Sequence, residues 1–121
     1  MTYEAKHPFQ FAHMVFFQLA DRTPVMMRAF VDACQNYLHQ PNLQIYFSVG
    51  LRDVEIQRDV SATDFDVSMH IIFADRADYD EYAASKEHDE FITATAGMST
   101  ARRVFDSYLA PPAASKNNAK S

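Results

Sequence analysis

The 121-residue sequence is poor in the residues that mark loop-rich, disulfide-stapled or nucleic-acid-binding proteins. It has two glycines and no tryptophan, and its single cysteine, Cys34, excludes an internal disulfide. Its 11 basic residues are outnumbered by 16 acidic ones, so it lacks the basic stripe with which proteins bind nucleic acid. We therefore expect a reduced domain of packed strands and helices, without a nucleic-acid partner.

Long apolar runs are also missing from the sequence. No stretch approaches the roughly 20 apolar residues that span a bilayer, and the first ten residues lack the apolar run of a signal peptide. With 48% hydrophobic residues the composition is that of a globular protein, so we expect a cytoplasmic protein without a membrane partner. We predict a flexible N-terminus over 1–10, one domain over 11–110 and a disordered tail over 111–121.

The sequence does contain a regular order of strand and helix patterns. Alternating apolar residues predict four strands, over 11–19, 42–49, 65–73 and 101–109. Thr23 followed by proline starts a helix that we expect to reach His39. A second helix, capped by Asp75 or Asp78, is expected to continue to Ala96, because the next residue is a glycine.

This β-α-β-β-α-β order, with 51–64 as a connecting loop, predicts an α+β fold of the ferredoxin-like type. Such a sandwich has a four-stranded antiparallel sheet with both helices on one face. We further expect the first and third strands, which are not consecutive in the chain, to point the same way. His13, His88 near the end of the second helix, and the cleft beside Val67 would then meet at one end of the domain.

Strand alternation leaves large apolar side chains on the sheet face away from the helices, here called the outer sheet face: Met14, Phe16, Tyr46, Ile72, Phe105 and Leu109. A solitary sheet would turn a polar face to water, and an apolar patch of this size marks an interface. Since burying each side chain is worth about 1.5–3 kcal/mol, we predict a two-fold homodimer packed sheet against sheet. The alternative is an error of one residue in the parity of one of the strands. In the second strand we expect Ile45 to face inward and Gln44 outward.

Three segments fit this element order: AHMVFF in the first strand, FDVSMHIIF in the third, and EYAASKEHDEF after it. Together with the Tyr-x5-His-x2-Phe spacing of Tyr82, His88 and Phe91, they resemble the stress-responsive dimeric α/β-barrel family, Dabb. The resemblance extends from about Phe11 to Leu109. It implies a ferredoxin-like subunit that dimerises through its sheets into an α/β barrel.

The resemblance also implies a chemistry, because a plant member of this family cyclises a polyketide by an aldol condensation without metal or organic cofactor. Its tyrosine falls on Tyr82, its catalytic histidine on His88 and a first-strand histidine on His13. A third-strand histidine of that enzyme falls on Val67 here, and the family often has a proline where this chain has Lys86.

Elementary chemistry gives these residues distinct roles. An imidazole titrates near neutrality, so His88 suits a general base, while Tyr82 can donate a hydrogen bond to a developing enolate oxygen. His13 would orient the substrate or relay a proton. On an unbroken helix, residues six apart diverge by roughly 120°, so Tyr82 and His88 converge only if the helix breaks near Ser85. The side chains expected to hold an apolar substrate are Val15, Phe17, Phe30, Val67 and Met69.

Three functions remain open at this point. The leading hypothesis is a homodimer that binds an apolar, oxygenated small molecule, with cyclase-like acid–base chemistry. The others are a non-catalytic stress-responsive accessory dimer whose cleft is filled by side chains, and a cofactor-free monooxygenase of the wider barrel fold. His88, Asp89 and Glu90 do not predict a metal site, because adjacent helical residues point in different directions and no His-x3-His pair is present. Cys34 is expected in the core.

Overall fold

A computed structural model of the chain describes residues 9–111. Its strands are β1 (Gln10–Leu19), β2 (Gln44–Leu51), β3 (Val67–Phe73) and β4 (Ser99–Leu109). Its helices are α1 (Pro24–Ala33), which continues as a π-helical segment over Cys34–Leu38, α2 (Arg76–Ala83) and α3 (Lys86–Ala94). The flexible segments predicted over 1–10 and 111–121 fall outside the described residues, apart from residues 9, 10 and 111. No helix between residues 9 and 111 has the length and apolar composition needed to cross a membrane.

The strand order β2-β3-β1-β4, antiparallel throughout, confirms the ferredoxin-like α+β fold. The expectation that the first and third strands point the same way is wrong. They are neighbours and antiparallel, with His13 opposite Ile71 and Phe17 opposite Val67. The connection through α1 carries the chain from β1 to β2. The chain then reverses direction, and β3 lies in the sheet between β2 and β1. His13 and Val67 therefore share a sheet face but lie about 13 Å apart along it.

The core fills the space between the sheet and the helices. Phe30 of α1 packs its ring 4.8 Å from that of Phe17 on β1, and Phe91 of α3 closes the same cluster. Cys34 is fully buried, and this burial raises the pKa of its thiol to about 12. A thiol that stays protonated in an apolar setting is a small core residue, as predicted.

β2 departs from the predicted alternation near its start. Its register against β3 shifts between Gln44 and Tyr46, so Ile45 is the extra residue of a β-bulge. Gln44 is buried and its side-chain amide donates to the Leu38 carbonyl at 2.8 Å, whereas Ile45 is 55% exposed. The prediction that Ile45 faces inward and Gln44 outward is wrong, because the bulge reverses the facing of the residues before it.

The outer sheet face has the predicted composition. Pairing of Met14 with Phe105 and of Tyr46 with Ile72 shows that the parity of these strands is as expected. Phe16 packs its ring 5.6 Å from that of Phe105. Phe105 and Tyr46 nevertheless remain 44% and 55% exposed in the single chain. This face therefore carries large apolar side chains that a single copy of the described chain leaves in contact with water.

Candidate ligand cavity between the sheet and the helices

A cavity of about 210 Å³ lies between the sheet and helices α2 and α3. The sheet contributes His13, Val15, Phe17, Met69, Arg102 and Val104. The helical side contributes Leu38, Tyr79, Tyr82, His88, Phe91 and Ile92. Pockets for drug-sized ligands usually measure about 300–1,000 Å³, so this one suits a molecule of one or two rings.

Ser85 makes the helix break on which the Tyr82–His88 pair depends. α2 ends at Ala83 and α3 begins at Lys86, with Ser85 between them in an extended conformation (φ −74°, ψ 153°). The Ser85 hydroxyl accepts a hydrogen bond from the His88 amide at 3.1 Å and donates one to the Tyr82 carbonyl at 2.7 Å. Because this cap ends one helix and starts the next, the Tyr82 and His88 rings lie 5.2 Å apart, nearly perpendicular.

A Lys86→Pro substitution is expected to raise the free energy of unfolding by about 0.4–1 kcal/mol. Lys86 is the first residue of α3, where proline is favoured and the N–H has no intrahelical partner. The extended Ser85 before it is the conformation that a following proline requires. Urea unfolding of the Lys86→Pro and Lys86→Ala variants measures the effect, the alanine accounting for loss of the lysine side chain. A proline variant less stable than the alanine variant would contradict this account of the break.

Tyr82, one of the residues that line the cavity, has an unsatisfied hydroxyl. The residue is 0% exposed, and its oxygen has no hydrogen-bond partner among residues 9–111. Burial raises the pKa of Tyr82 well above its usual range, so the hydroxyl stays protonated and can act as a donor. Buried polar groups nearly always have a partner, and in a cavity wall a bound molecule can supply it.

Replacing Tyr82 by phenylalanine is expected to stabilise the ligand-free protein by about 1–3 kcal/mol, the desolvation penalty of an unpaired buried group. Urea unfolding measures it, with Tyr79→Phe as the control. Tyr79 lines the same cavity but is only half-buried, and its variant should differ from wild type by less than about 0.5 kcal/mol. Destabilisation by Tyr82→Phe would mean that the hydroxyl has a structural partner.

His88 is held in its neutral form. Burial lowers the pKa of its imidazole below the usual value, and repulsion from His13 lowers it further. Asp89 opposes this shift, and Arg102 adds the smallest lowering effect. A neutral imidazole at physiological pH has a free lone pair, which is the state that a general base requires.

This lowered pKa predicts a stability loss in acid. Below about pH 6.5 the unfolded chain protonates His88 more readily than the folded chain does. The contribution of His88 to the free energy of unfolding is therefore complete above that pH, and it is lost as the pH falls through the lower pKa of the folded state. The urea concentration at the midpoint of unfolding should decrease between about pH 7.5 and about pH 5.5. We expect a larger decrease for the wild type than for a His88→Gln variant. An equal or larger decrease in the variant would show that His88 is not disfavoured as a cation.

His13 is held by a residue that the sequence analysis missed. Asp106 lies opposite His13 on β4, and its carboxylate is 2.5 Å from the His13 Nδ1 atom. The contact fixes the ring and leaves Nε2 as the nitrogen without a partner among residues 9–111. The alternation of side chains along β4 could have indicated this residue, because Asp106 is an acidic residue on the helix-facing side of the strand, between Val104 and Tyr108. Arg102, on the same side of β4, was also missed.

The structure separates the predicted substrate-binding residues into two groups. Val15, Phe17 and Met69 line the cavity, whereas Phe30 and Val67 lie in the core with 1% and 0% exposure. The antiparallel pairing of β1 and β3 places Val67 at the far end of the sheet from His13. Among residues 9–111 no three histidine, cysteine or acidic side chains cluster as they would around a metal ion.

Solved structures share this architecture. A Dabb family protein with a ferredoxin-like fold from Mesorhizobium loti is 18% identical, with a TM-score of 0.70, over 85% of this chain and 99% of its own. A dimeric ferredoxin-like protein of unknown function from Thermobifida fusca is 17% identical, with a TM-score of 0.66, over 89% and 100%. A hydroxynitrile lyase from Passiflora edulis is 15% identical, with a TM-score of 0.65, over 88% and 98%. At these identities the likeness shows a common fold alone.

The sequence itself identifies the family. No curated protein matches the chain at a significant level. The profile of the stress responsive A/B barrel domain, Dabb, matches residues 11–109, which include every residue that lines the cavity. The chain therefore belongs to the Dabb family of stress-responsive A/B barrel proteins.

Proposed function

We propose that the protein is a homodimer in which each cavity binds a small, apolar, oxygenated molecule and acts on it by acid–base chemistry. The observation that carries this proposal is the buried hydroxyl of Tyr82, unpartnered among residues 9–111, in a side chain whose ring lies beside the neutral imidazole of His88. A donor without a partner and a base without a proton, facing one cavity, form the pair needed to enolise a carbonyl compound.

In the proposed reaction His88 removes a proton from the carbon next to a carbonyl group. The electron pair of that C–H bond moves into the new C=C bond, and the carbonyl oxygen becomes an enolate that accepts a hydrogen bond from Tyr82. His13, held by Asp106, orients the substrate or relays the proton. The resulting enolate carbon can attack a second carbonyl of the same molecule, whose oxygen becomes an alkoxide and takes the proton back from His88. This is the aldol step of a polyketide cyclase. All these groups are side chains, so the proposed chemistry uses no cofactor.

The outer sheet face supports the homodimer. Apolar side chains such as Phe105 and Tyr46 remain about half exposed in the single chain, and a second copy related by a two-fold axis would cover each patch with the same patch. The Thermobifida fusca structure with this fold is described as dimeric. The lone buried Cys34 is consistent with the reducing cytoplasm in which we place the protein.

Two observations favour an enzyme over the accessory dimer of the second hypothesis. Side chains leave the cavity at His88 open, whereas a purely structural cleft would be filled. The Passiflora edulis protein, a hydroxynitrile lyase, is an enzyme on this fold. The monooxygenase hypothesis predicts that the protein consumes oxygen when a quinol is supplied, which a separate measurement tests.

Deuterium exchange into 4-phenyl-2-butanone, a one-ring methyl ketone, tests the proposal directly. In D₂O the protein should speed the loss of the proton NMR signals of the carbons next to the carbonyl, compared with imidazole buffer of equal histidine concentration. The amide resonances of His88 and Ile92 should shift on titration with the ketone. Absence of both exchange and binding would favour the accessory dimer.

A further inference from the structure

We propose that the natural ligand of the cavity is an anion, and that Arg102 binds its carboxylate or a similar group at the cavity mouth. This inference rests on the proposed function and specifies its substrate class. Arg102 lies on β4 opposite Phe17, and both residues line the cavity together with His88. The guanidinium is a rigid donor fork whose geometry matches a carboxylate.

Arg102 differs from nearly all other described arginines in having no partner. Within residues 9–111, five arginine side chains bond to a carboxylate or a carbonyl: Arg22, Arg28, Arg52, Arg76 and Arg103. Arg102 and Arg58 have no such bond, and only Arg102 lines the cavity that contains His88. Arg102 and Tyr82 both line the cavity, so a ligand that fills it meets a donor at each of two places.

The charges along β4 orient that ligand. Arg102 and Asp106 lie on the same face of the strand, four residues and about 13 Å apart. Asp106 would repel an anion but is held by His13 at its own end of the face. The carboxylate therefore belongs at the Arg102 end, and the oxygenated carbon near His88 and Tyr82. Arg102 and His88 line the same cavity, and repulsion from Arg102 makes a small contribution to the lowered pKa of His88.

The overall charge makes a local cation necessary. The chain carries a net charge of −5, so its general field repels anions. A protein of this charge that selects an anionic ligand needs a cation at the site itself. Arg102 is the cationic side chain among those that line the cavity, apart from histidines.

Binding of a matched pair of probes tests the inference. 2-Naphthoate and 2-naphthamide have the same two rings, and only the first is an anion. We expect the wild type to bind naphthoate about tenfold more tightly than naphthamide, with a preference that decreases as salt is added. Arg102→Gln should abolish this preference. Arg58→Gln removes the same charge from an exposed position outside the cavity and should keep it.

Calorimetric titration measures the affinities, and amide shifts at His88 and Ile92 show whether each probe enters the cavity. Equal binding of both probes there, or a preference that survives Arg102→Gln, would overturn the role of Arg102 and leave the proposed function standing. Binding of neither probe would overturn the anionic ligand, and the proposed function would fall with it only if the ketone is neither bound nor exchanged. Loss of the preference in Arg58→Gln as well would assign it to net charge and not to Arg102.

Discussion

A Phe16→Asp variant is expected to be a folded monomer at concentrations at which the wild type is dimeric. Phe16 lies on the central strand β1 in the outer sheet face, with ring contacts to Phe65, His70 and Phe105. In the proposed two-fold dimer, two copies of the change lie in one interface. Because Phe16 is already half-buried in the single chain, each copy loses about half of the 1.5–3 kcal/mol of full burial. This loss weakens the dimer by about 10–10²-fold, and the two buried charges weaken it further.

Sedimentation velocity over a range of concentrations measures this effect, with circular dichroism as the check on folding. Val25→Asp is the matched control, since Val25 is 76% exposed on α1, in the other layer of the domain. An acidic residue in the first turn of a helix is tolerated there, so this variant should remain a dimer. If wild type and Phe16→Asp sediment alike at every concentration, the outer sheet face is not the interface.

A His88→Gln variant is expected to lower the rate of deuterium exchange into 4-phenyl-2-butanone by about 10²–10⁴-fold, the usual contribution of a general base. Glutamine keeps a polar side chain of similar size but cannot accept a proton near neutral pH. The variant should still bind the ketone, because the apolar wall of Val15, Phe17 and Met69 is unchanged. The loss should therefore appear in the rate at saturating ketone and not in the affinity.

His39→Gln is the control for this experiment. His39 stacks on Phe47 with ring centroids 4.8 Å apart and does not line the cavity, so its removal should leave the exchange rate unchanged. Full exchange by His88→Gln would exclude His88 as the base. In that case His13, the second histidine of the cavity, would be the remaining candidate, and His13→Gln would be the next variant.

The candidate site was only partly predictable from the sequence. Tyr82 and His88 were found through the resemblance to the Dabb family, and the condition for their convergence, a break near Ser85, could be stated in advance. That Ser85 makes this break without a proline follows from its hydrogen bonds to the Tyr82 carbonyl and the His88 amide. Asp106 and Arg102 were missed. The role of a single polar residue on β4 can be recognised only once the sheet register shows which residues lie opposite it.

The two corrected predictions have a common cause. The direction of β3 relative to β1 depends on how the connection over 52–66 reverses the chain, and no local pattern encodes that path. The facing of Ile45 depends on a bulge, which is a property of the pairing between two strands. Both were therefore beyond the reach of alternation within one segment.

By itself, the sequence determined the element order and the amphipathic strands. These features depend on side-chain periodicity and on helix caps, which involve residues within a few positions of one another. Only the tertiary structure decided that β1 and β3 are antiparallel, that Asp106 holds His13, and that Tyr82 has no partner within the described residues. Hydrogen bonds and burial between residues far apart in the chain set these features, so local patterns carry no record of them.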